Sequence, residues 1–460
     1  MQAPGDCMER APTISEIIDK RSMGRYQIWT MALCGTVIVL DGFDTQSIGF
    51  LAPSMAESLH IPIKNFGPIF VFALIGLMIS SMLSGPIADR LGRKWPIVTC
   101  TLIFGLFAML TARCTTFNEL IACRFLTGLG LGGALSNSVA LMSEYAPKRL
   151  LAVIVSIMFC GMPTGAVLAT RVSAVMLPRW GWQSVFYAGG VLPLTLTVLL
   201  IAILPESVRY LEVSGANQRK ISKILARISP ELGGAPISRS EQQDLRRKAP
   251  VINLFTEGRA VGTILLWIPF FMNLLILYFV VFWLPALLRQ TGYPISAGAT
   301  AIMLFSLSGI AGSFVEGNLM NRWGAFTVLL IEFVCTTLLI ASLAYSTSFL
   351  LTMTITFALG FMVQGAQGGL SAVAATFYPT SIRSTGIGWC LGIGRIGSIV
   401  GPMIGGFMLK LDWTPREILL AGSIPALCAA AATFASLRLR SHSTAAQKAA
   451  GLAEEPAVMH

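Results

Sequence analysis

Two carboxylates three residues apart, Asp41 and Asp44, interrupt an apolar run in Leu40-Asp41-Gly42-Phe43-Asp44-Thr45-Gln46. At that spacing they share one face of a helix. Each costs roughly 2.5 to 3.5 kcal/mol in a membrane-spanning helix on insertion scales, so two together need a cation, water or a proton. Like charges held close in a low dielectric raise the proton affinity of at least one of them. Such a pair can load and release a proton; the alternative is a fixed structural ion pair. Because the cost of an intramembrane carboxylate falls when it becomes an amide, Asp41→Asn and Asp44→Asn are both expected to leave the protein intact.

Two arginines stand in comparable runs. Arg124 opens Arg124-Phe-Leu-Thr-Gly128-Leu-Gly130-Leu-Gly132-Gly133, whose small residues at four-residue spacing admit a close neighbouring helix. Asp44 and Arg124 both fall within roughly 10 Å of the outer boundary at ~1.5 Å rise per residue, so they can pair. Arg395, in Gly392-Ile-Gly394-Arg395-Ile-Gly397-Ser398, lies about eleven residues from the inner end of its run, ~17 Å deep. No acid of the second half matches it in depth. A planar guanidinium fork suits a carboxylate bidentately, so its anion is either a ligand's carboxylate or Asp41.

A third group sits between two runs: Gly85-Pro-Ile-Ala-Asp89-Arg90-Leu-Gly92-Arg93-Lys94. Gly85 and Gly92 are expected to let the chain turn tightly between helix ends. Asp89 with Arg90 and Arg93 can form an ion-pair latch near helix termini. Glu144, in Ser143-Glu144-Tyr-Ala-Pro147-Lys-Arg149, reads as a latch partner of Arg90 or Arg93. Arg171, Glu316 and Glu332 lie nearer the ends of their runs, where long side chains can reach the interface, and are assigned no chemistry. His60, His442 and His460 fall in a loop or tail, which excludes a buried histidine relay. The nine cysteines, without CxxC pairs, read as packing thiols, and no metal or cofactor site is expected.

These residues need long helices to position them. Of 460 residues, 54% are hydrophobic and 12% charged, against roughly 25% charge in soluble domains; the mean hydropathy is +0.72. At roughly 20 apolar residues per span the runs give twelve, near 28–50, 66–86, 95–113, 119–141, 152–176, 184–204, 260–288, 297–319, 325–345, 349–371, 384–408 and 416–436. With the N-terminus inside, twenty-four Lys and Arg fall on the cytoplasmic side and six outside, the asymmetry that sets orientation. The formal charge of +11 is thereby accounted for as topology, and nucleic-acid binding is excluded. The expected division is a cytoplasmic tail at 1–26, a six-helix bundle at 27–204, a cytoplasmic linker at 205–259, a second bundle at 260–437 and a tail at 438–460.

An offset of 232 residues superposes the punctuation of the two halves. Pro53, read as ending the first span, lands on Pro285; Gly85, Arg90 and Gly92 land on Gly317, Arg322 and Gly324; Gly128, Gly133, Pro147 and Gly165 land on Gly360, Gly365, Pro379 and Gly397. Charge does not follow: Asp41, Asp44, Asp89 and Arg124 face Asn273, Ile276, Asn321 and Thr356, and Arg395 faces Pro163. Asymmetric charge on a repeated scaffold is what coupling an ion to a substrate requires.

The loop from Gly85 to Lys94 strongly resembles the signature of the major facilitator superfamily. Over nearly the whole chain the sequence resembles that superfamily's aromatic acid:proton symporters, in particular carriers of 4-hydroxybenzoate and protocatechuate. Further motifs carry the likeness: Arg25-Tyr-Gln, Asp41-Gly-x-Asp44, Leu204-Pro-Glu206-Ser207, Trp283-Leu-Pro285, Tyr378-Pro-Thr380-x-x-Arg383 and Gly392 to Ser398. The resemblance implies an all-α, twelve-helix protein of two pseudo-symmetric bundles, monomeric in the inner membrane with both termini cytoplasmic. Its ligands would be a proton and a small aromatic carboxylate, its solvent the lipid bilayer, its cofactors none. It further implies transport roles for Asp41, Asp44, Arg124, Glu144, Arg383 and Arg395. A drug exporter of the same fold is disfavoured because the fifth span reads Gly161-Met-Pro-Thr-Gly165-Ala, while Gly401-Pro-Met-Ile-Gly405-Gly406 stands in the eleventh. A sensor on this fold would carry an added soluble domain, and none is visible.

Overall fold

The computed structural model describes residues 19, 23–147, 150, 154, 157–213, 251–256, 258–379 and 382–449. The terminal tail at 1–26 and the linker at 205–259 therefore lie largely outside the described residues, as does 450–460. The described regular structure is helical throughout, as an apolar solvent demands, since a helix satisfies its own backbone groups. In chain order the helices are α1 (Arg25–Leu59), α2 (Gly67–Leu91), α3 (Lys94–Thr111), α4 (Phe117–Tyr145), α5 (Gly161–Ile203), α6 (Val208–Val213), α7 (Ala260–Gln290), α8 (Ile295–Trp323), α9 (Ala325–Leu343), α10 (Phe349–Phe377), α11 (Arg383–Lys410) and α12 (Pro415–Ala449).

Among the described residues eleven helices are long and apolar enough to cross a membrane. One of them, α5, has 43 residues, about twice what a span needs. It breaks at Gly181, whose φ of 73° and ψ of 178° suit a residue without Cβ. Gly165 and Gly189 both lie against Phe43, yet in a straight helix they would be ~36 Å apart. The chain therefore doubles back at Gly181, and α5 supplies the fifth and sixth of twelve spans.

Three boundaries differ from the sequence reading. Pro53 and Pro285 lie inside α1 and α7 rather than ending spans. A proline leaves the carbonyl four residues earlier without its helical donor; for Pro285 this is Val281 O, which packs directly on Gly49 of α1. The neighbouring helix fills the gap and both helices run on. At the other end of the chain α12 continues to Ala449, past the expected end of the second bundle.

The chain divides into two compact units, Met1–Ser47 with Phe72–Arg247, and Ile48–Val71 with Lys248–His460. In the first, Leu33, Ile97, Phe104, Leu131, Leu141 and Tyr145 belong to a buried cluster that also takes in Val208 and Leu211 of α6. In the second, Leu254, Phe270, Phe333, Leu370 and Tyr378 belong to another. Both ends of the polar segment after α5 are thus anchored. The end of α1 and the start of α2 belong to the second unit, where Phe70 stacks on Phe282 at 4.6 Å and Arg289 donates to Glu57 at 3.2 Å.

The 232-residue register recurs in the helix contacts. Gly128 packs on Ala73 O and Gly360 on Phe305 O; Gly165 packs on Val39 O and Gly397 on Phe271 O. Each partner pair, 73 with 305 and 39 with 271, is itself 232 apart. Within the second unit, Gly49 with Val281 and Glu57 with Arg289 are residues at that same separation in direct contact. Small residues let these backbones approach closely.

Since Gly165 faces immobile backbone, Gly165→Val should cost about 1–3 kcal/mol, the overpacking range. At Gly317 an added Cβ meets nothing within 4 Å, so Gly317→Ala should be neutral or stabilise by about 0.5–1 kcal/mol through helix propensity. Thermal unfolding of the detergent-solubilised protein distinguishes the two; equal melting temperatures would refute the close approach of α1 and α5.

Candidate functional site

In the first unit α4 is held close to its neighbours by glycines, Gly128 and Gly132 on α2 and Gly130 on α3. Its N-terminus is fixed by a capping box between Thr116 and Glu119. This placement brings Arg124 to α1. Arg124 Nη1 donates to Asp44 Oδ1 at 3.0 Å and Nη2 to Oδ2 at 2.6 Å, a bidentate pair with both side chains 1% exposed. The pairing read from depth along the spans is the one the helices make. The Phe186 ring lies 5.8 Å from the guanidinium carbon, and Trp182 meets Phe186 edge-on at 5.9 Å. Arg124 Nε and Trp182 Nε1 are buried donors with no acceptor among the described residues. Neither aromatic was singled out from the sequence, where a buried ring looks like any other apolar residue. Asp41 is equally buried and its Oδ1 accepts from Thr45 at 3.0 Å.

Asn273, which matches Asp41 in the repeat, donates instead to Val363 O at 3.2 Å and Gln367 Oε1 at 3.0 Å on α10. Arg395 projects from α11 between Gly394 and Gly397, which pack on α7 at Phe270 and Phe271. Its side chain is half-buried, and no hydrogen bond or ion pair to the guanidinium is formed among the described residues.

The loop after α2 forms a second constellation. Gly92 has φ +88°, and a Cβ there would come within 2.5 Å of the Glu206 carboxyl, so both conformation and space require glycine. Gly85 lies inside α2 with nothing near it, which corrects its reading as a turn residue. Arg93 Nε meets Glu144 Oε1 at 3.4 Å, so the latch partner is Arg93; Arg90 is exposed and its carbonyl accepts from Tyr210 at 3.1 Å. Glu144 also accepts a short hydrogen bond from Ser207. The side chains of Asp89 and Arg383 lie outside the described residues.

Glu206 is the residue that spacing did not reveal as part of this group. Its Oε1 accepts from the backbone N–H of Arg93, Lys94 and Ser207 at 2.6, 3.0 and 2.8 Å, satisfying orphan donors at the positive end of α3. Tyr145 donates to Glu206 O at 2.7 Å, and Gln27 to Tyr145 O at 2.7 Å. Of the three ionisable residues assigned no chemistry, Glu316 and Glu332 are buried, not at the interface, and Arg171 is exposed. Among the described residues no group of side chains could hold a metal, and all eight described cysteines are free, Cys114 and Cys123 lying 3.5 Å apart.

Twelve apolar spans with a buried ion pair, a lone guanidinium in a span and a tied loop between helices define a membrane transporter. The family model of the Major Facilitator Superfamily matches residues 34–366, and the chain belongs to that family. It is 37% identical over 426 residues to the 4-hydroxybenzoate transporter PcaK of Pseudomonas aeruginosa, covering 92% of this chain and 95% of that one. It is also 37% identical to a gallate transporter of Pseudomonas putida (94% and 97% covered) and 31% to a benzoate transport protein of Acinetobacter baylyi (93% of each). The resemblance to aromatic acid carriers drawn from the motifs is borne out. A bacterial homolog of the human lysosomal transporter Spinster superposes with a TM-score of 0.67 at 16% identity, over 91% of this chain and 98% of that one. The protein is a multi-pass membrane transporter and not an enzyme.

The geometry revises the expectation for Asp44→Asn. Removing one partner of a buried pair leaves an uncompensated charge, at a cost of about 3–5 kcal/mol, whereas replacing both is often neutral. Asp44→Asn should therefore lower the thermal unfolding temperature, and Asp44→Asn with Arg124→Gln should recover most of the loss. Additive losses in that double-mutant cycle would show the pair to be energetically uncoupled.

Proposed function

We propose that this chain is a proton-coupled symporter that imports an aromatic carboxylate of the 4-hydroxybenzoate or protocatechuate kind across the inner (cytoplasmic) membrane by alternating access. In this reading it works as a monomer with both termini cytoplasmic. The observation that carries it is the contrast between two guanidinium groups within spans. Arg124 is neutralised by Asp44, while Arg395 forms no ion pair among the described residues. Relatives named for 4-hydroxybenzoate, gallate and benzoate supply the class of anion.

Arg395 takes the substrate carboxylate in its planar fork. Asp41 and Asp44 take the proton: protonating Asp44 removes the charge that holds Arg124, and the freed fork, with its spare Nε, can then take an anion, which makes Arg124 the other substrate-binding residue of this reading. One carboxylate replaces another, so the buried cation is never left without a partner. Gly85, Asp89, Arg90, Gly92, Arg93, Glu144 and Arg383 govern opening at the cytoplasmic helix ends, where the Glu206 cap and the Arg93–Glu144 contact must yield or hold as a body.

Uptake should require an inward proton gradient and be close to electroneutral, since one anion moves with one proton. Labelled 4-hydroxybenzoate accumulating equally well in vesicles after the pH gradient is dissipated would sink the coupling. Asp41→Asn should abolish concentrative uptake while the protein remains folded, and wild-type accumulation would remove it from the coupling site.

Arg395→Lys keeps the charge but loses the fork, and should weaken aromatic acid binding by about 1–3 kcal/mol, the range of a charge-assisted hydrogen bond. Arg395→Ala should lose binding and transport. Calorimetric titration of the solubilised protein reads both, and unchanged affinity in the alanine variant moves the carboxylate site to Arg124.

A further inference from the structure

Glu316 on α8 and Glu332 on α9 are 3% and 4% exposed. They lie against successive turns of one face of α10. A Cβ at Gly365 would stand 3.2 Å from Glu332 Oε1, one at Gly368 would stand 3.1 Å from Glu316 Oε2, and one at Gly369 would overlap the Glu316 carboxyl. Glu316 Oε1 and Glu332 Oε2 are each buried with no hydrogen-bond partner among the described residues.

Among the described residues no cation answers them. α10 has no ionisable side chain; α8 adds Arg322 at its exposed end and α9 adds Cys335; α7 offers Tyr278 and, in its last turn, Arg289, which donates to Glu57; α12 offers Cys428, Arg438 over the Phe434 ring and, in its first turn, Arg416 over the Tyr345 ring and Glu417 bound to Thr414. None of these makes an ion pair or hydrogen bond with either carboxyl among the described residues. The group beside Glu316 is Glu332 itself: the two carboxyls lie against Gly369 and Gly365, one turn apart on α10. Two carboxylates out of water, beside each other and without a counter-ion, do not both stay ionised; a proton neutralises at least one.

The scaffold does not ask for acids at these positions. In the 232-residue register Glu316 and Glu332 match Ser84 and Cys100 of the first half, while Gly368 and Gly369 match Ser136 and Asn137. There Ser84 and Ser136 share a hydrogen bond of 2.7 Å, Cys100 lies against Gly133, and Asn137 accepts from Arg93 at 3.5 Å. In the second half two small neutral residues have become carboxylic acids, two polar side chains have become glycines that make room for them, and the position of Arg93 is Ala325. The acids and their space come together, and the cation is gone.

We infer that Glu316 and Glu332 form a proton-binding site of their own, a carboxyl pair holding a proton between α8, α9 and the glycine face of α10, separate from Asp41 and Asp44. The inference is independent of the transported substrate.

Infrared titration of the purified full chain without substrate, from neutral to strongly alkaline pH, tests it. The wild type should show at neutral pH the carbonyl stretch of a protonated carboxyl, disappearing on alkalinisation, and E316Q/E332Q should lack that component. Each single variant should keep a titrating band with its midpoint moved to lower pH, because a neutral amide has replaced the like charge. Glutamine is close in size to the neutral acid, and the single variants give the same answer if the double variant folds poorly. An unchanged band in both single variants, or identical neutral-pH spectra for wild type and double variant, overturns the site. Protein that fails to accumulate aromatic acid yet keeps the wild-type band would refute the proposed function and leave this pair in place.

Discussion

A charge inside a bilayer has to be answered by another group of the chain, a proton or a ligand, and in this protein Asp44 and Arg124 answer each other. The two groups meet bidentately at 1% exposure, so α1 and α4 cannot separate without stranding an ion in a low dielectric. The same rule governs the backbone. Helices close their own hydrogen bonds, and where a proline opens one, as Pro285 does, the released carbonyl is packed against a glycine of the next helix. The glycine contacts are the backbone's side of that constraint: they bring helices near enough for a buried arginine and a buried aspartate to touch.

Packing follows the repeat closely while chemistry does not. Gly128 on Ala73 and Gly360 on Phe305 are one contact made twice. The first half adds to this plan the Asp44–Arg124 pair and, at one end of its helices, a network in which Glu206 caps α3, Arg93 meets Glu144 and Gly92 leaves room for the cap. In the second half the matching positions are Ile276, Thr356, Arg438, Ala325 and Thr376, so neither device can form there. Its ionisable groups are placed otherwise, with Arg395 half-buried on α11 and the two glutamates deep against α10. A scaffold that repeats its helix contacts in both halves thus holds different ionisable groups in each.

Most of this plan is local enough to be legible in the sequence. Span number follows from apolar run lengths; the repeat follows from glycine and proline positions; and the Asp44–Arg124 pairing follows from depth, since position along a helix converts directly to distance through the membrane. What depth cannot give is which way a helix face points. By count Glu316 and Glu332 sit near span ends, within reach of the interface, but the rotation of α8 and α9 about their axes turns both toward α10, and only tertiary packing decides that rotation. Glu206 was visible only as part of a motif, because the N–H groups of α3 that it caps, on Arg93 and Lys94, lie 113 and 112 residues away and no spacing rule links them. The fold-back of α5 at Gly181 and the continuation of α7 through Pro285 were likewise settled only in the packed structure, where Gly165 and Gly189 both meet Phe43 and Val281 O lies on Gly49, since a glycine or a proline permits a break in a helix without requiring one.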